Sequence, residues 1–213
     1  DVPVPERRPE DASRRAGEWR ILQLSDIHVG QNLSFSQLEG FVERANREAP
    51  DLICLTGDIA DGPYADLDRF FPLFRRLRAR CGVIAVLGNH DHYAGADRVA
   101  AALEANGVSV LRDSAVTLER DGARLHVVGL DDRGLDWARG VEEDAILGRL
   151  LAAAPAGVPQ LLLVHRPDVF RQAAREGVTL TLSGHTHGGQ LALPWFGGRR
   201  SAPRGACTQS RAP

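Results

Sequence analysis

Five polar clusters lie along this chain, and each one directly follows a short apolar run. In order they are Asp26-Ile27-His28, Gly57-Asp58-Ile59-Ala60-Asp61, Gly88-Asn89-His90-Asp91, His165, and Gly184-His185-Thr186-His187. Short apolar runs separated by helical patterns are typical of strands in an α/β protein, and the carboxyl ends of such strands project side chains into one crevice. The clusters are therefore expected to meet at a single site.

The composition is that of a folded domain with a small negative charge. Of the 213 residues, 43% are hydrophobic and 25% are charged, and the net charge at pH 7 is −2. This length suits one sizeable α/β domain. The charge gives no general attraction to nucleic acid, so no nucleic-acid partner is expected. The three cysteines, Cys54, Cys81 and Cys207, lack the spacing of a zinc knuckle or a disulfide framework.

Apolar periodicity predicts the order of strands and helices. Strands are predicted at 19–24, 51–56, 83–87, 108–111, 116–120, 124–130, 160–164 and 179–182. Helices are predicted at 34–49, 65–80, 96–105 and 142–153, the first opened by a capping box and the second kinked by Pro72. Asp121-Gly122 is a hairpin signal. This order predicts an α/β fold, a four-layer αββα sandwich of two mixed β-sheets flanked by helices.

The clusters contain side chains that bind divalent metal ions. The candidates are Asp26, His28, Asp58, Asn89, His165, His185 and His187. Asp26 and His28 are two residues apart, so on an extended chain both can reach one ion, and the same spacing lets His185 and His187 face neighbouring ions. Asp58 has two oxygens and can bridge two ions. This mixed nitrogen and oxygen set favours Mn, with Fe or Zn as alternatives, over Ca or Mg.

Each cluster alone has an ordinary structural interpretation. A single histidine such as His165 after an apolar strand is more often a core or surface residue than a ligand. Asp26-Ile27-His28 alone can be a turn that caps a helix, and Gly184-His185-Thr186-His187 alone can be a polar turn. The ordinary interpretation of all five together requires ligand-type residues to coincide at five strand ends, so a site for two adjacent divalent ions is favoured.

The ordered set closely resembles the calcineurin-like metallophosphoesterase superfamily over about residues 19–194. Four short sequence motifs are similar to those of the bacterial YkuE-type branch of this superfamily. Members of that branch are often membrane-associated and are related to phosphodiesterases including UDP-2,3-diacylglucosamine pyrophosphatases. These motifs are Leu24-Ser25-Asp26-Ile27-His28, Pro50-Asp51-Leu52-Ile53, the Gly129-Leu130-Asp131-Asp132 turn, and Gly184-His185-Thr186-His187-Gly188-Gly189-Gln190. The resemblance implies the calcineurin-like metallophosphoesterase fold.

The resemblance also implies a role for each site residue. It assigns the first ion to Asp26, His28, Asp58 and His187, and the second ion to Asp58, Asn89, His165 and His185. His90 would contact the phosphate and protonate the leaving oxygen as the catalytic acid, with Asp61 as its orienting partner. Asp91 would support the ligands from behind, and turn formation is its alternative role. Arg166 would bind a phosphate oxygen or cap the following helix, and the cap is favoured.

A phosphoric ester hydrolase that depends on two metal ions is the function this family implies. The expected reaction is attack on phosphorus by a hydroxide that bridges the two ions, with a phosphodiester or pyrophosphate as the substrate. Candidate substrates are small phosphoesters or lipid-linked and nucleotide-sugar phosphodiesters such as UDP-2,3-diacylglucosamine. A phosphomonoesterase of the same fold and a non-catalytic metal-binding scaffold are the alternatives.

The resemblance and the composition together divide the chain into three parts. Residues 1–18 are rich in Pro, Arg, Glu and Asp and are expected to be a flexible lead-in, and 19–198 the metallophosphoesterase domain. Residues 199–213 are expected to be a disordered or aberrant tail, which would leave the C-terminal edge of the sheet incomplete. A cytoplasmic or peripherally membrane-associated location is expected, because no run reaches the roughly 18 apolar residues of a membrane span. The run 191–196 is expected to be buried, with a membrane-docking lip as the alternative.

Overall fold

Two four-stranded sheets form the centre of the protein. The computed structural model describes residues 17–30, 33–63, 65–132 and 141–187, with the side chains of 141–144 excepted. The first sheet has the order β1-β2-β3-β4, with strands Ile21–Leu24, Leu52–Thr56, Val83–Val86 and Val108–Val110. The second has the order β5-β6-β7-β8, with strands Ser114–Arg120, Ala123–Gly129, Gln160–Leu163 and Leu180–Leu182.

The two sheets differ in strand direction. Adjacent strands of the first sheet pair in parallel at every described position. In the second sheet β5 and β6 are antiparallel, whereas β6, β7 and β8 are parallel. Of the two mixed sheets that the sequence predicts, the second is mixed, whereas the first is parallel throughout its described strands. The antiparallel pair is closed by Asp121 and Gly122, both at positive φ (50° and 78°), as a two-residue hairpin requires.

Alternating side chains along β2 contact two different layers. Leu52 and Cys54 are buried against the second sheet, in an apolar cluster that includes Leu161. Ile53 and Leu55 point the other way, into a cluster with residues of the helices Phe35–Arg47, Leu67–Phe70 and Ala96–Ala105. A strand buried on both faces has to be apolar at every position, which explains the unbroken run in the sequence.

Helices cover the outer faces of both sheets. They are α1 Phe35–Arg47, α2 Leu67–Phe70, α3 Asn89–Tyr93, α4 Ala96–Ala105, α5 Val141–Ala152 and α6 Phe170–Arg175. On the second sheet, Val128 and Leu162 pack against Leu147 and Leu151 of α5. Three apolar interfaces thus separate four layers, and the predicted αββα sandwich is confirmed. No helix in the described ranges has the length and apolarity to cross a membrane.

The predicted helix boundaries are right at the first helix and wrong at the second. Ser34 caps α1 as expected, since its Oγ accepts from the Gln37 amide at 3.2 Å and the Ser34 amide donates to Gln37 Oε1 at 2.8 Å. The kinked helix predicted at 65–80 is instead the single turn α2 followed by a 3₁₀ helix, Phe71–Arg76. Pro72 has no amide hydrogen to continue the α-helical ladder, and the chain becomes extended at Leu77.

Several sequence predictions lie outside the described residues. They are most of the lead-in 1–18, the run 191–196, the tail 199–213 and the incomplete sheet edge. These stay predictions.

A buried carboxylate joins the two sheets at the amino ends of the parallel strands. The side chain of Asp51 has no exposed surface and accepts from the Arg20 amide at 2.7 Å. Its other oxygen lies 2.6 Å from Nη1 of Arg120, at the end of β5, and 3.6 Å from Nη1 of Arg80. Arg120 also stacks over the Trp19 ring at 5.2 Å. This ion-pair cluster ties the first sheet to the second.

We expect Asp51→Asn to lower the free energy of unfolding by about 3 kcal/mol, because it removes the carboxylate that lies 2.6 Å from the largely buried guanidinium of Arg120. Urea denaturation measures the change. The metal content of the folded variant should equal that of the wild-type protein, because the cluster lies at the opposite end of the strands from the predicted site. A loss of stability below about 0.5 kcal/mol would show that the ion pairs are not needed.

Candidate metal centre

The loops that follow five strands bring the polar clusters together at one end of the two sheets. They follow β1, β2 and β3 of the first sheet and β7 and β8 of the second. Backbone hydrogen bonds fix the loops to one another. The Asp26 amide donates to the Gly57 carbonyl at 3.1 Å, the His28 amide to the Asp58 carbonyl at 2.9 Å, and the Gly184 amide to the His165 carbonyl at 2.9 Å.

Three groups of potential ligand atoms form within these loops, and two of them consist entirely of predicted metal ligands. In the first, Nε2 of His187 lies 3.5 Å from Oδ1 of Asp26 and 3.2 Å from Nε2 of His28. In the second, Nε2 of His165 lies 3.1 Å from Oδ2 of Asp58 and 3.2 Å from Nδ1 of His185.

Asp58 connects the two groups. Its Oδ2 lies 3.8 Å from Nε2 of His28 in the first group and 3.1 Å from Nε2 of His165 in the second. Its Oδ1 accepts from the His90 amide at 2.9 Å. The carboxylate therefore faces both groups, as a ligand shared by two ions would.

The donor set fits divalent metal ions. In each group two imidazole nitrogens and a carboxylate converge within a few ångströms, which is the mixed nitrogen and oxygen environment that Mn, Fe and Zn prefer. Asn89 supplies a second indication. Its Oδ1 is buried, and within the described ranges it has no hydrogen-bond partner. A buried carbonyl oxygen normally has a partner, and a metal ion beside it would provide one.

Five of these ligands have backbones in the left-handed region. They are Asp26, His28, Asp58, His185 and His187, with φ between 49° and 69°. This conformation costs about 1 kcal/mol or more for a residue with a side chain. Strain of this kind clusters where side chains must be held for function, and here the hydrogen bonds between the loops hold it.

Two glycines allow the loops to pack this closely. Gly57, at φ 86°, follows β2, and a Cβ built on it would lie 2.5 Å from Nδ1 of His165. Gly88 has an ordinary φ of −106°, but a Cβ built there would overlap Oδ1 of Asp58. The absence of a side chain at both positions is therefore a steric requirement of the site.

Burial and mutual contact shift the pKa values of the ligands. Burial alone would raise the pKa of Asp58, but the hydrogen bond and charge of His165 and the His90 amide bond hold it below its usual value. Burial would lower the pKa of His165, and the Asp58 hydrogen bond and charge raise it instead. Burial lowers the pKa of His28. Burial and the positive charges of His165 and Arg166 lower that of His185.

His90 and Asp61 lie beside the first group. Nδ1 of His90 is 3.2 Å from Oδ1 of Asp61, and Nδ1 of His28 is 3.6 Å from the same oxygen. Asp61 thus lies between a candidate ligand and the predicted acid, where it can fix the orientation of both rings. The ring of Tyr93, which is 63% exposed, lies edge-on to His90 with centroids 5.7 Å apart.

Asp91 supports the site through the backbone. It is completely buried, and its two oxygens accept from the amides of Ile59, Ala60 and Gly88 at 2.7–2.9 Å. Burial raises the pKa of Asp91 to about 6 against the opposing effect of these amide bonds. Asp91 therefore both forms the turn at the start of α3 and holds the β2 loop.

Arg166 occupies the N-cap position of the following helix, as the favoured interpretation expects, but its side chain has another partner. Arg166 precedes the short 3₁₀ helix Pro167–Val169, but its side chain makes no capping bond. Instead its Nε donates to Oδ2 of Asp132 at 2.9 Å. The phosphate-binding role of Arg166 stays a prediction.

A second ion-pair group near the site was missed in the sequence. Nε2 of His92 lies 2.9 Å from Oδ1 of Asp131, and Nε of Arg112 donates to Oδ2 of Asp131 at 2.7 Å. Burial would raise the pKa of Asp131, but the bonds from His92 and Arg112 hold it below its usual value. The helix α3 was also missed, because five residues are too few for a periodic signal. Two adjacent aspartates after the apolar strand β6 were the available signal for this group.

We expect Gly88→Ala to lower metal content severely, because the added methyl group displaces the carboxylate of Asp58. Elemental analysis of the purified protein measures this. Gly148→Ala is the matched control, since a Cβ there meets nothing within 4 Å and alanine in a helix is favoured over glycine by about 1 kcal/mol. A Gly88→Ala protein with the full metal content would contradict the steric requirement.

Comparisons with known proteins find a matching family and several relatives. The family model described as calcineurin-like phosphoesterase matches residues 20–189. The uncharacterized metallophosphoesterase YkuE of Bacillus subtilis is 36% identical over 191 residues, which are 88% of this chain and 64% of that protein. Phosphodiesterase YaeI of Escherichia coli is 28% identical over 85% of this chain and 65% of that protein. The chain therefore spans about two thirds of the length of these relatives.

Two further similarities are to another curated protein and to a solved structure. A Danio rerio protein named as a transmembrane protein with a metallophosphoesterase domain is 30% identical over 90% of this chain and 44% of its own length. Phosphopantetheinyl hydrolase of Mycobacterium tuberculosis aligns with a TM-score of 0.54 at 16% identity, covering 86% of this chain and 87% of its own. That second likeness is one of fold alone. Through the family match, which covers most of the chain and all the candidate ligands, the protein belongs to the calcineurin-like phosphoesterase family.

Proposed function

We propose that this chain is a phosphoric ester hydrolase that depends on two divalent metal ions and cleaves a phosphodiester or pyrophosphate. The observation that carries the proposal is the position of Asp58, whose carboxylate faces both histidine-containing ligand groups. The membership of a phosphoesterase family and the likeness to a protein named as a phosphodiesterase support the reaction class.

The residues that would hold the ions divide between the two groups. The first ion would be held by Asp26, His28, Asp58 and His187, and the second by Asp58, Asn89, His165 and His185. Mn is favoured, with Fe or Zn as alternatives. When bound, such a pair of ions lowers the pKa of a water molecule and neutralises charge on the phosphoryl oxygens.

We propose His90 as the acid for the leaving group. Its Nδ1 faces Asp61, so the carboxylate fixes the ring and favours a proton on this nitrogen. The imidazole of His90 is partly exposed, which leaves it accessible to a substrate at the mouth of the site. A proton delivered to the departing oxygen matters most when that oxygen is strongly basic.

The proposal extends to the class of substrate. A small phosphoester, or a lipid-linked or nucleotide-sugar diester such as UDP-2,3-diacylglucosamine, is proposed. Relatives named as transmembrane proteins support peripheral membrane association as an alternative to a cytoplasmic location. A phosphomonoesterase is the second candidate, because the ligand groups alone do not select between esters.

Purified protein is expected to contain about two equivalents of metal and to hydrolyse bis(p-nitrophenyl) phosphate. Elemental analysis and release of p-nitrophenolate measure these two properties. Asp58→Asn is the control, because loss of the shared carboxylate should remove most of both. If the protein contains both equivalents of metal but hydrolyses neither monoesters nor diesters, the enzyme proposal is overturned and a metal-binding scaffold is favoured.

We expect His90→Ala to keep its metal and to lose turnover by about 10²- to 10⁴-fold on diesters with alkyl leaving groups. The loss on p-nitrophenyl diesters should be much smaller, because p-nitrophenolate departs without a proton. Asp61→Asn should show the same pattern in weaker form. Steady-state rates on the two substrate types measure the difference, and equal losses on both would argue against His90 as the acid.

A further inference from the structure

Asp132 and Arg166 stand side by side because of the register of the second sheet. The parallel strands β6 and β7 pair Gly129 with Leu163. Asp132 lies three residues beyond Gly129, and Arg166 lies three residues beyond Leu163. Both residues therefore occupy equivalent positions beyond the ends of their strands, on the side of the sheet where the ligand groups lie.

The contact between them is short and desolvated on one side. Nε of Arg166 donates to Oδ2 of Asp132 at 2.9 Å, and the Asp132 side chain has no exposed surface. Arg166 keeps 23% of its side chain exposed. A charge-assisted bond to a buried carboxylate holds a guanidinium in one orientation, whereas a free arginine side chain samples many.

The charges of Arg166 and Asp132 both act on His185 of the second ligand group. Arg166 directly follows the candidate ligand His165, and its positive charge contributes to the lowered pKa of His185. A guanidinium has five N–H donors in a planar fork, and the bond to Asp132 uses one of them. The remaining N–H groups could donate hydrogen bonds to a phosphoryl group beside the second ligand group.

We propose that Asp132 is a positioning residue, which holds Arg166 beside the second ligand group so that the guanidinium binds a phosphoryl oxygen of the substrate. This inference deepens the proposed function and rests on it. Asp132 itself touches no substrate. It acts by fixing the arginine before the phosphate arrives, so less conformational entropy is lost on binding.

The competing explanation is that the pair only joins the loops after β6 and β7. In that case its removal would lower stability and leave phosphate affinity unchanged. The control for this effect is Asp51→Asn, which removes another fully buried carboxylate from an arginine cluster at the opposite end of the strands.

The experiment measures binding of inorganic phosphate to the Mn-loaded full chain by calorimetry. We compare the wild-type protein with Asp132→Asn, Arg166→Gln, the double variant and Asp51→Asn, each with its metal content and urea unfolding curve. Arg166→Gln should bind phosphate about tenfold more weakly, since it loses one charge-assisted bond. Asp132→Asn should lose about threefold to tenfold.

The pair should behave as a unit in these measurements. The double variant should bind phosphate no more weakly than Arg166→Gln, because Asp132 acts only through the arginine. Asp51→Asn should keep wild-type phosphate affinity despite its lower stability. For bis(p-nitrophenyl) phosphate, KM should rise in Asp132→Asn while kcat changes little.

Two results would overturn the inference. One is wild-type phosphate affinity in folded, metal-loaded Asp132→Asn, and the other is an additive loss in the double variant. If Asp132→Asn does not fold, Arg166→Lys replaces it, because lysine keeps the charge but lacks the fork that bonds carboxylate and phosphate together. Wild-type phosphate affinity in Arg166→Lys would equally overturn the inference. Failure of the proposed function is a separate result, seen as a wild-type protein that binds phosphate without hydrolysing any ester.

Discussion

The shared carboxylate of Asp58 is the constraint on which the arrangement of the site depends. One oxygen contacts the amide of His90, and the other lies near the imidazoles of His28 and His165. Three loops from two sheets therefore have to approach one side chain. A carboxylate buried in this way needs partners for both oxygens, so the loops pack closely around it. A methyl group at Gly88 has no room because it would overlap Oδ1 of Asp58.

The two ends of the parallel strands carry different kinds of polar cluster. At the amino ends, Asp51 is neutralised by arginines that join the sheets, and each charge has a partner of opposite sign. At the carboxyl ends, several imidazole nitrogens and carboxylates converge, and Asn89 Oδ1 is buried without a hydrogen-bond partner in the described part of the chain. The first cluster balances a carboxylate with guanidinium groups, whereas the second gathers imidazole and carboxylate atoms of the kind that bind divalent ions. This contrast distinguishes a stabilising ion-pair cluster from a candidate metal centre.

Support for the site comes from residues behind the ligands as much as from the ligands. Asp91 fixes the loop after β2 through two amides, and His92 connects the helix of His90 to Asp131 in the second sheet. The Asp131-Asp132 turn at the end of β6 thus reaches both α3 and Arg166. Positions of side chains that act on a phosphate depend on such contacts, because a loop without them samples many geometries.

The sequence by itself determined the strands, the capping box of α1, the hairpin at Asp121-Gly122 and the identity of the candidate ligands. These features are local, because they follow from periodicity, from φ preferences and from side-chain chemistry at a strand end. Only the tertiary structure decided that Pro72 ends the helix in a 3₁₀ turn, that Asp61 lies between two histidines, and that the side chain of Arg166 bonds Asp132. Those outcomes depend on strand register and on which loops meet, and residues far apart in sequence carry no local signal of either.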